Sequence, residues 1–528
     1  MRDWFESASG FLRAVEDRKL VIIIAASLAM SFVLWQPLFQ AKFWIVDDHQ
    51  IITTLGPSKS FGVADIPEAV LAGEVGQPFV AQRFRPSYIV LRVLETYLWR
   101  DNATAWFVTR MALYGLCFAI TCYVLSYFIG AIPALAFAGF EFSRPYWSDI
   151  FGRLGPSEAY AAAGLALAAL GFLVRVDRER VRLACIYICM GVVLAAGSKE
   201  NFLFLIVPLT WVVWRDWKRL GWLTRSIYVL TALYTLFVLS SILVGSLAAG
   251  QDIYAKSTNL MTRARMARST LLQPAILLWV LGIAVFWLPA NGTMRALDRH
   301  TSASIDARRA AIAALWLSAL LLVYVVQQYY YAGYVGSSVE GRYVFASALS
   351  QHLAALVPFA VFIDHIRLHA RASPPKTIFA SLVVFAVWLA ISVSGAKAVR
   401  TNSFNMAIKT INFQAKVEKA VSLAKANPGV RLAFVAHNAW DLEPLVAVQK
   451  WFRFEGVENP ISVVISADVM TSATSAMDRY LARELFVREK EGGDGFVPWT
   501  PADVNGCISL PFSADHSDVG CTDGPRIW

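Results

Sequence analysis

Phe43-Trp44-Ile45-Val46-Asp47-Asp48-His49-Gln50 follows directly on the first long apolar run of the chain, roughly residues 20 to 39. A run of about 20 apolar residues is long enough to cross a bilayer as a helix, so this stretch predicts a span that delivers two adjacent carboxylates and an imidazole to the far membrane surface. Arg2, Arg13, Arg18 and Lys19 precede the run and mark its near side as cytoplasmic. The run is longer than a signal-peptide core and no clear small-x-small cleavage site follows it, so it reads as a retained signal anchor.

Composition extends this reading to the whole chain. Of 528 residues, 57% are hydrophobic and only 16% charged, and the mean hydropathy is +0.50. Apolar residues beyond what a core can hold must be solvated by lipid, so the fold class is a polytopic α-helical membrane protein. The net charge of +10 belongs to the Lys and Arg of cytoplasmic loops and not to nucleic-acid binding. Cys117, Cys122, Cys185 and Cys189 lie in apolar runs and read as packing residues. Cys507 and Cys521 lie in the polar tail, where a disulfide between them requires that the tail be extracytoplasmic.

Placing basic loops inside gives about eleven transmembrane helices. Segment one is followed by an outer loop that holds an interfacial helix, Pro86 to Trp99, with Arg92 and Glu95 embedded in it. Segments two and three, about 104–127 and 129–146, form a hairpin, and Ser148 to Glu158 makes a second outer loop. Segment four, about 159–174, runs into Arg175, Arg178, Arg180 and Arg182; segment five rises to Lys199-Glu200, and segment six returns from about 202 to Arg215. Segment seven, about 226–247, leads to an outer loop whose Arg263, Arg265 and Arg268 depart from the positive-inside pattern. Segments eight to eleven end near Gly395. Residues 1–395 therefore form a transmembrane domain, and residues 396–528 a small extracytoplasmic α/β domain, with buried strands at Val430 to Ala436 and Ile461 to Ser466 and helical spacing near 405–426, 440–453 and 474–490.

On spacing alone, Asp47 and Asp48 fit a solvated interfacial turn as well as a site. The second outer loop, Phe151-Gly152-Arg153-Leu154-Gly155-Pro156-Ser157-Glu158, places another carboxylate on the same predicted face. Two carboxylate sites on one face are what general-base catalysis or a bound divalent cation needs. Arg83, Arg85, Arg153, Lys199 and Arg342 are candidate cations for a phosphate on that face, and contact with lipid headgroups is the alternative for each. Lys199-Glu200 also reads as an ion pair closing segment five. Arg110, inside segment two, requires an internal partner.

An acidic pair just after the first transmembrane helix, followed by a second outer loop with Arg153 and Glu158, resembles the GT-C superfamily of polyprenyl-phosphate-dependent glycosyltransferases. That superfamily includes the protein O-mannosyltransferases and the bacterial lipid A aminoarabinose transferases. The resemblance covers roughly residues 20 to 247, with Gly341-Arg342-Tyr343 as weaker support. It implies a membrane glycosyltransferase in which Asp47 or Asp48 is the catalytic base toward the acceptor and Glu158 matches the second-loop acidic residue, a position often occupied by Asp. Some members use a divalent metal ion and others do not; its candidate ligands are Asp47, Asp48, Glu158 and His49. The implied partners are a polyprenyl-phosphate sugar donor, an extracytoplasmic acceptor and membrane lipids, in a multi-pass inner (plasma) membrane protein with a cytoplasmic N-terminus. A transporter or flippase for a lipid-linked or anionic glycan is the alternative function. It would place charges near the midplane, often with internal symmetry, whereas here they cluster on one face and no internal repeat is found.

Overall fold

The computed structural model describes residues 17–44, 48–79, 83–175, 180–249, 374–430, 432–436, 442–459, 461–465 and 508–510, with residues 261, 342, 345, 349 and 352 between them. The first run forms helix α1 (Lys19–Trp35), an apolar stretch free of Gly and Pro that tightens into a 3-10 turn over Gln36–Gln40, where Pro37 enters. The loop after α1, expected on the outer face, carries α2 (His49–Leu55), α3 (Ile66–Ala72) and α4 (Pro86–Trp99). Helix α5 (Ala103–Ile129) begins at Asn102, whose side chain accepts the Ala105 N–H at 3.1 Å, and Gly130 in the left-handed region turns it into α6 (Ala131–Phe142). The chain continues through α7 (Tyr146–Phe151), α8 (Glu158–Val174), α9 (Val181–Ala196), α10 (Ile206–Asp216), α11 (Trp222–Ala249) and α12 (Pro374–Ala426). Strand β1 (Leu432–Ala436), helix α13 (Leu442–Phe454) and strands β2 (Ile461–Ile465) and β3 (Ile508–Leu510) complete the described elements.

Lys19–Gln40, Ala103–Tyr127 and Trp222–Gly245 are, among the described residues, the three helical stretches long and apolar enough to cross a membrane. They coincide with expected segments one, two and seven. Segments three, four and five form shorter apolar helices, Ala131–Phe142, Glu158–Val174 and Val181–Ala196. Segment six starts as a 3-10 turn, Glu200–Leu205, before α10 begins. Segments eight and nine, most of segment ten, the loop with Arg263, Arg265 and Arg268, and Cys507 and Cys521 lie outside the described residues.

Helix packing follows small side chains. On α1, Ser27 and Ser31 donate to the Gly115 and Met111 carbonyls of α5 at 2.6 and 2.7 Å, satisfying polar groups that lipid could not. Helices α8 and α9 form the tightest antiparallel pair: a Cβ built on Gly191 would come within 2.4 Å of the Ala168 nitrogen, and one on Gly164 within 2.5 Å of the Ala195 nitrogen.

Two expectations change. The helix expected at 405–426 is not separate from segment eleven, because Pro374–Ala426 is one continuous helix through the expected boundary at 395. Gly395 marks a close approach, since a Cβ there would lie 2.5 Å from the Ser143 carbonyl oxygen; it is not a helix end. Helix α4 has the expected bounds, but Arg92 and Glu95 are buried within the protein: Arg92 donates to the Leu154 carbonyl at 2.5 Å, and Glu95 pairs with Arg110 at 3.4 Å. Glu95 is thus the internal partner that Arg110 requires, and Tyr160 donates to the same carboxylate.

The sheet is parallel with order β2-β1-β3, Leu432 pairing with Ile461 on one side and Ile508 on the other. Two of its strands fall where the apolar runs at Val430 to Ala436 and Ile461 to Ser466 place them. Helix α13 packs its Trp451 against Phe43 of the first outer loop, with ring centroids 6.2 Å apart.

Candidate functional site

The first turn of α4 is the hub where the loops expected on the outer face meet. The Ser87 and Tyr88 N–H groups donate to the Gly197 carbonyl, just past the end of α9, at 2.9 and 3.2 Å. The Tyr88 hydroxyl donates to the Gly155 carbonyl of the second outer loop at 2.9 Å and lies 3.2 Å from the Gln50 amide on α2. One helix end therefore ties together the Asp48 turn, the loop before Glu158 and the loop before Lys199. Pro86 fits this position because the first helical turn has no use for its missing N–H.

Asp48 immediately precedes α2 and is buried, with its Oδ2 accepting the Trp44 N–H at 2.8 Å. That bond closes the turn back on the end of the first span and fixes the carboxylate. His49 opens α2, and Asp47 lies outside the described residues.

Glu158 opens α8, where an acidic side chain complements the positive helix end. It is buried and pairs with Lys199, also buried, at 2.9 Å. The charge of Arg342 acts on Glu158 as well, and the Arg342 N–H donates to Asp149 Oδ2 at 3.2 Å. Asp149 in turn pairs with Arg153 at 3.1 Å. The adjacent Glu200 stands farther from the ammonium of Lys199, at 4.0 Å, so the main partner of Lys199 comes from another loop and is not its neighbour in sequence.

On the other side of Lys199 stand Arg83 and Arg85. Arg85 grips Glu74 with its guanidinium at 2.7 Å and its backbone N–H at 3.0 Å. Burial alone would push the Arg85 guanidinium down, but Glu74, aided by Glu200, holds it well above its usual range. Burial would likewise raise the Glu200 carboxyl; Lys199, Arg83 and Arg85 outweigh it and bring it down to about 2. Four of the five expected cations thus fall along one line of alternating charge, from Glu74 and Arg85 through Glu200, Lys199 and Glu158 to Arg342, Asp149 and Arg153, and the charge of the fifth, Arg83, acts on Glu200.

The solved structures to which the chain is similar include ArnT from Cupriavidus metallidurans in the apo state, at 13% identity and a TM-score of 0.46 over 95% of this chain and 93% of that one. ArnT from the same organism bound to undecaprenyl phosphate matches at 13% identity and a TM-score of 0.42, covering 85% and 86% of the two chains. No family model matches, and no curated protein is found to be similar. At these values the likeness carries neither site residues nor activity across.

Glu74, Asp149 and Tyr88 belong to this arrangement without standing out in the sequence. The two carboxylates carry a signal in retrospect: they lie in the same loops as the cations and are the nearest compensation for them. Tyr88 has none, because its role rests on carbonyls brought together by folding. Among the described residues no group of three or more His, Cys, Asp or Glu is placed to hold a metal ion. Glu158 does not fit a divalent cation as it stands, because the Lys199 ammonium occupies its carboxylate.

Proposed function

We propose that the chain is an integral membrane glycosyltransferase of GT-C type, which moves a sugar from a polyprenyl-phosphate donor to an extracytoplasmic glycan, lipid or protein acceptor. The observation that carries the reading is the α4 hub, where a buried, hydrogen-bonded aspartate in one loop is tied to a line of cations contributed by the others, with Lys199 buried among them. Asp48 is assigned as general base on its burial and its bond to Trp44. The acceptor hydroxyl gives its proton to the Asp48 carboxylate as its oxygen bonds the anomeric carbon from the face opposite the phosphate. The bond from that carbon to the phosphate oxygen breaks with inversion, and the electron pair leaves on the polyprenyl phosphate.

Lys199, Arg342 and Arg85 receive the charge that develops on the leaving phosphate. Their carboxylate partners hold them in place beforehand, so the donor meets preorganised positive charge and little needs to rearrange during reaction. We assign Glu158 to positioning Lys199, with no metal-binding role. Residues 1–395 supply the catalytic part, in the inner membrane with the N-terminus inside. The parallel sheet and α13 belong to an extracytoplasmic α/β unit that meets the acceptor.

Asp48→Asn keeps the shape of the side chain and removes its basicity. Transfer of labelled sugar from a polyprenyl-phosphate donor should fall by about 10²- to 10⁴-fold in purified Asp48→Asn protein that elutes and melts like the parent. Full activity in that variant would sink the assignment.

A further inference from the structure

A cleft of about 260 Å³ opens beside the Asp48 turn, where the first outer loop, the start of α5, α12 and α13 meet. Phe43, Trp451 and Phe454 give it an aromatic lining. Trp451 and Phe454 stand nearly perpendicular, with centroids 5.9 Å apart, and Phe43 closes on Trp451. Carboxylates come from Asp101, Glu418 and Glu455, and amides from Asn102 and Gln414. Lys42 and Lys59 are the ammonium groups of the lining, and Lys59 is paired with Glu455 at 3.0 Å while covering the Phe454 ring at 4.5 Å.

Three carboxylates against two ammonium groups disfavour a phosphate, which sets the cleft apart from the Lys199 line. Trp451 is 2% exposed, and its indole N–H has no acceptor among the described residues. A buried donor left without an acceptor is costly, and a ligand oxygen would satisfy it. With the Phe454 ring covered by Lys59, Phe43 and Trp451 are the rings left to meet polarised C–H groups, while carboxylates and amides take up hydroxyl hydrogens. A sugar ring has both surfaces, an apolar C–H face and a hydroxyl edge. The volume lies at the small end of ligand pockets and suits one such unit.

We propose that this cleft binds a neutral sugar unit of the acceptor glycan. Phe43 in its lining is followed by Trp44, whose N–H is held by Asp48, so an occupied cleft anchors the acceptor next to the turn that carries the base. The assignment of the ligand as acceptor rests on the transferase reading; the sugar site itself rests on the cleft.

The test is saturation-transfer NMR on the full chain in nanodiscs, with the methyl glycosides of glucose, galactose, mannose and N-acetylglucosamine as probes and glucose 1-phosphate as the charged comparison. At least one neutral glycoside should receive saturation on its ring C–H protons, and glucose 1-phosphate should receive far less. Glu418→Ala, at an exposed position of α12, and Trp451→Phe, which keeps a ring and removes the N–H, should each weaken binding by about tenfold. Asp48→Asn should leave it unchanged. Binding that shows this pattern in a protein without transferase activity upholds the cleft and refutes the transferase reading. The cleft is refuted if no neutral glycoside responds, if glucose 1-phosphate responds equally, or if both cleft variants bind like the parent.

Discussion

Removing one partner of the Lys199–Glu158 pair leaves the other charge buried, because the two side chains are only 6% and 4% exposed. Lys199→Met should therefore destabilise the protein by about 3–5 kcal/mol, and adding Glu158→Gln should restore most of that loss. Thermal unfolding in detergent reads both effects, and if the double variant were as unstable as the single one the pair would not be the cause. Restored stability without restored sugar transfer would separate the cation's part in the reaction from its part in the fold. Glu200 makes a pH-dependent contribution of its own. Its folded value of about 2 lies below the ordinary 4.5, so the stability it provides is present above pH 4.5 and is lost as the pH falls toward 2. Glu200→Gln should flatten the acid limb of the stability profile in that window, and a profile parallel to the parent's would contradict the role given to Lys199, Arg83 and Arg85. The sequence showed Glu158, Lys199 and Arg342 as outer-loop charges, because each flanks an apolar run. Their partners were not legible: which carboxylate meets which cation depends on how loops distant in sequence are brought together, and the neighbour Glu200 proved a weaker partner of Lys199 than Glu158.

Helices α8 and α9 set the distance at which that pair can form, since Glu158 opens one and Lys199 follows the other. Their contact depends on glycines that admit no side chain. Gly191→Val would drive atoms into the Ala168 backbone, where a first carbon already comes within 2.4 Å. The expected cost is about 1–3 kcal/mol with a loss of sugar transfer beyond what the stability change explains. Parental melting and activity together would show that the helix spacing does not control the site. Helix α4 illustrates what a sequence reading gets right and what it leaves out. Pro86 and the apolar run fixed its bounds, whereas Arg92 and Glu95 read as interfacial charges although they face inward to Leu154 and Arg110. The clue was available in Arg110 and Glu95, opposite charges stranded in adjacent apolar segments, where each is costly without the other.

Across the whole molecule, apolar length was the legible quantity and continuity was not. Segments one, two and seven announce themselves by composition, while the single helix Pro374–Ala426 hides behind a change from apolar to polar residues near 396. A helix that leaves lipid for water changes its composition without changing its backbone, so hydropathy marks a boundary where the helix has none. The orientation that the basic loops predict can be tested directly. Ser60 is exposed in the first outer loop, and Lys218 is exposed after α10 beside Arg215 and Arg219. Basic clusters stay on the cytoplasmic side, so these two positions should lie on opposite faces of the membrane. The four described cysteines, Cys117, Cys122, Cys185 and Cys189, are buried, which leaves an introduced thiol as the preferred target at either position. A membrane-impermeant maleimide should label Ser60→Cys in spheroplasts and Lys218→Cys only after the membrane is opened. Labelling of Lys218→Cys from outside would reverse the topology, moving the Asp48 turn and the cation line to the cytoplasmic face, where an extracytoplasmic acceptor could not reach them.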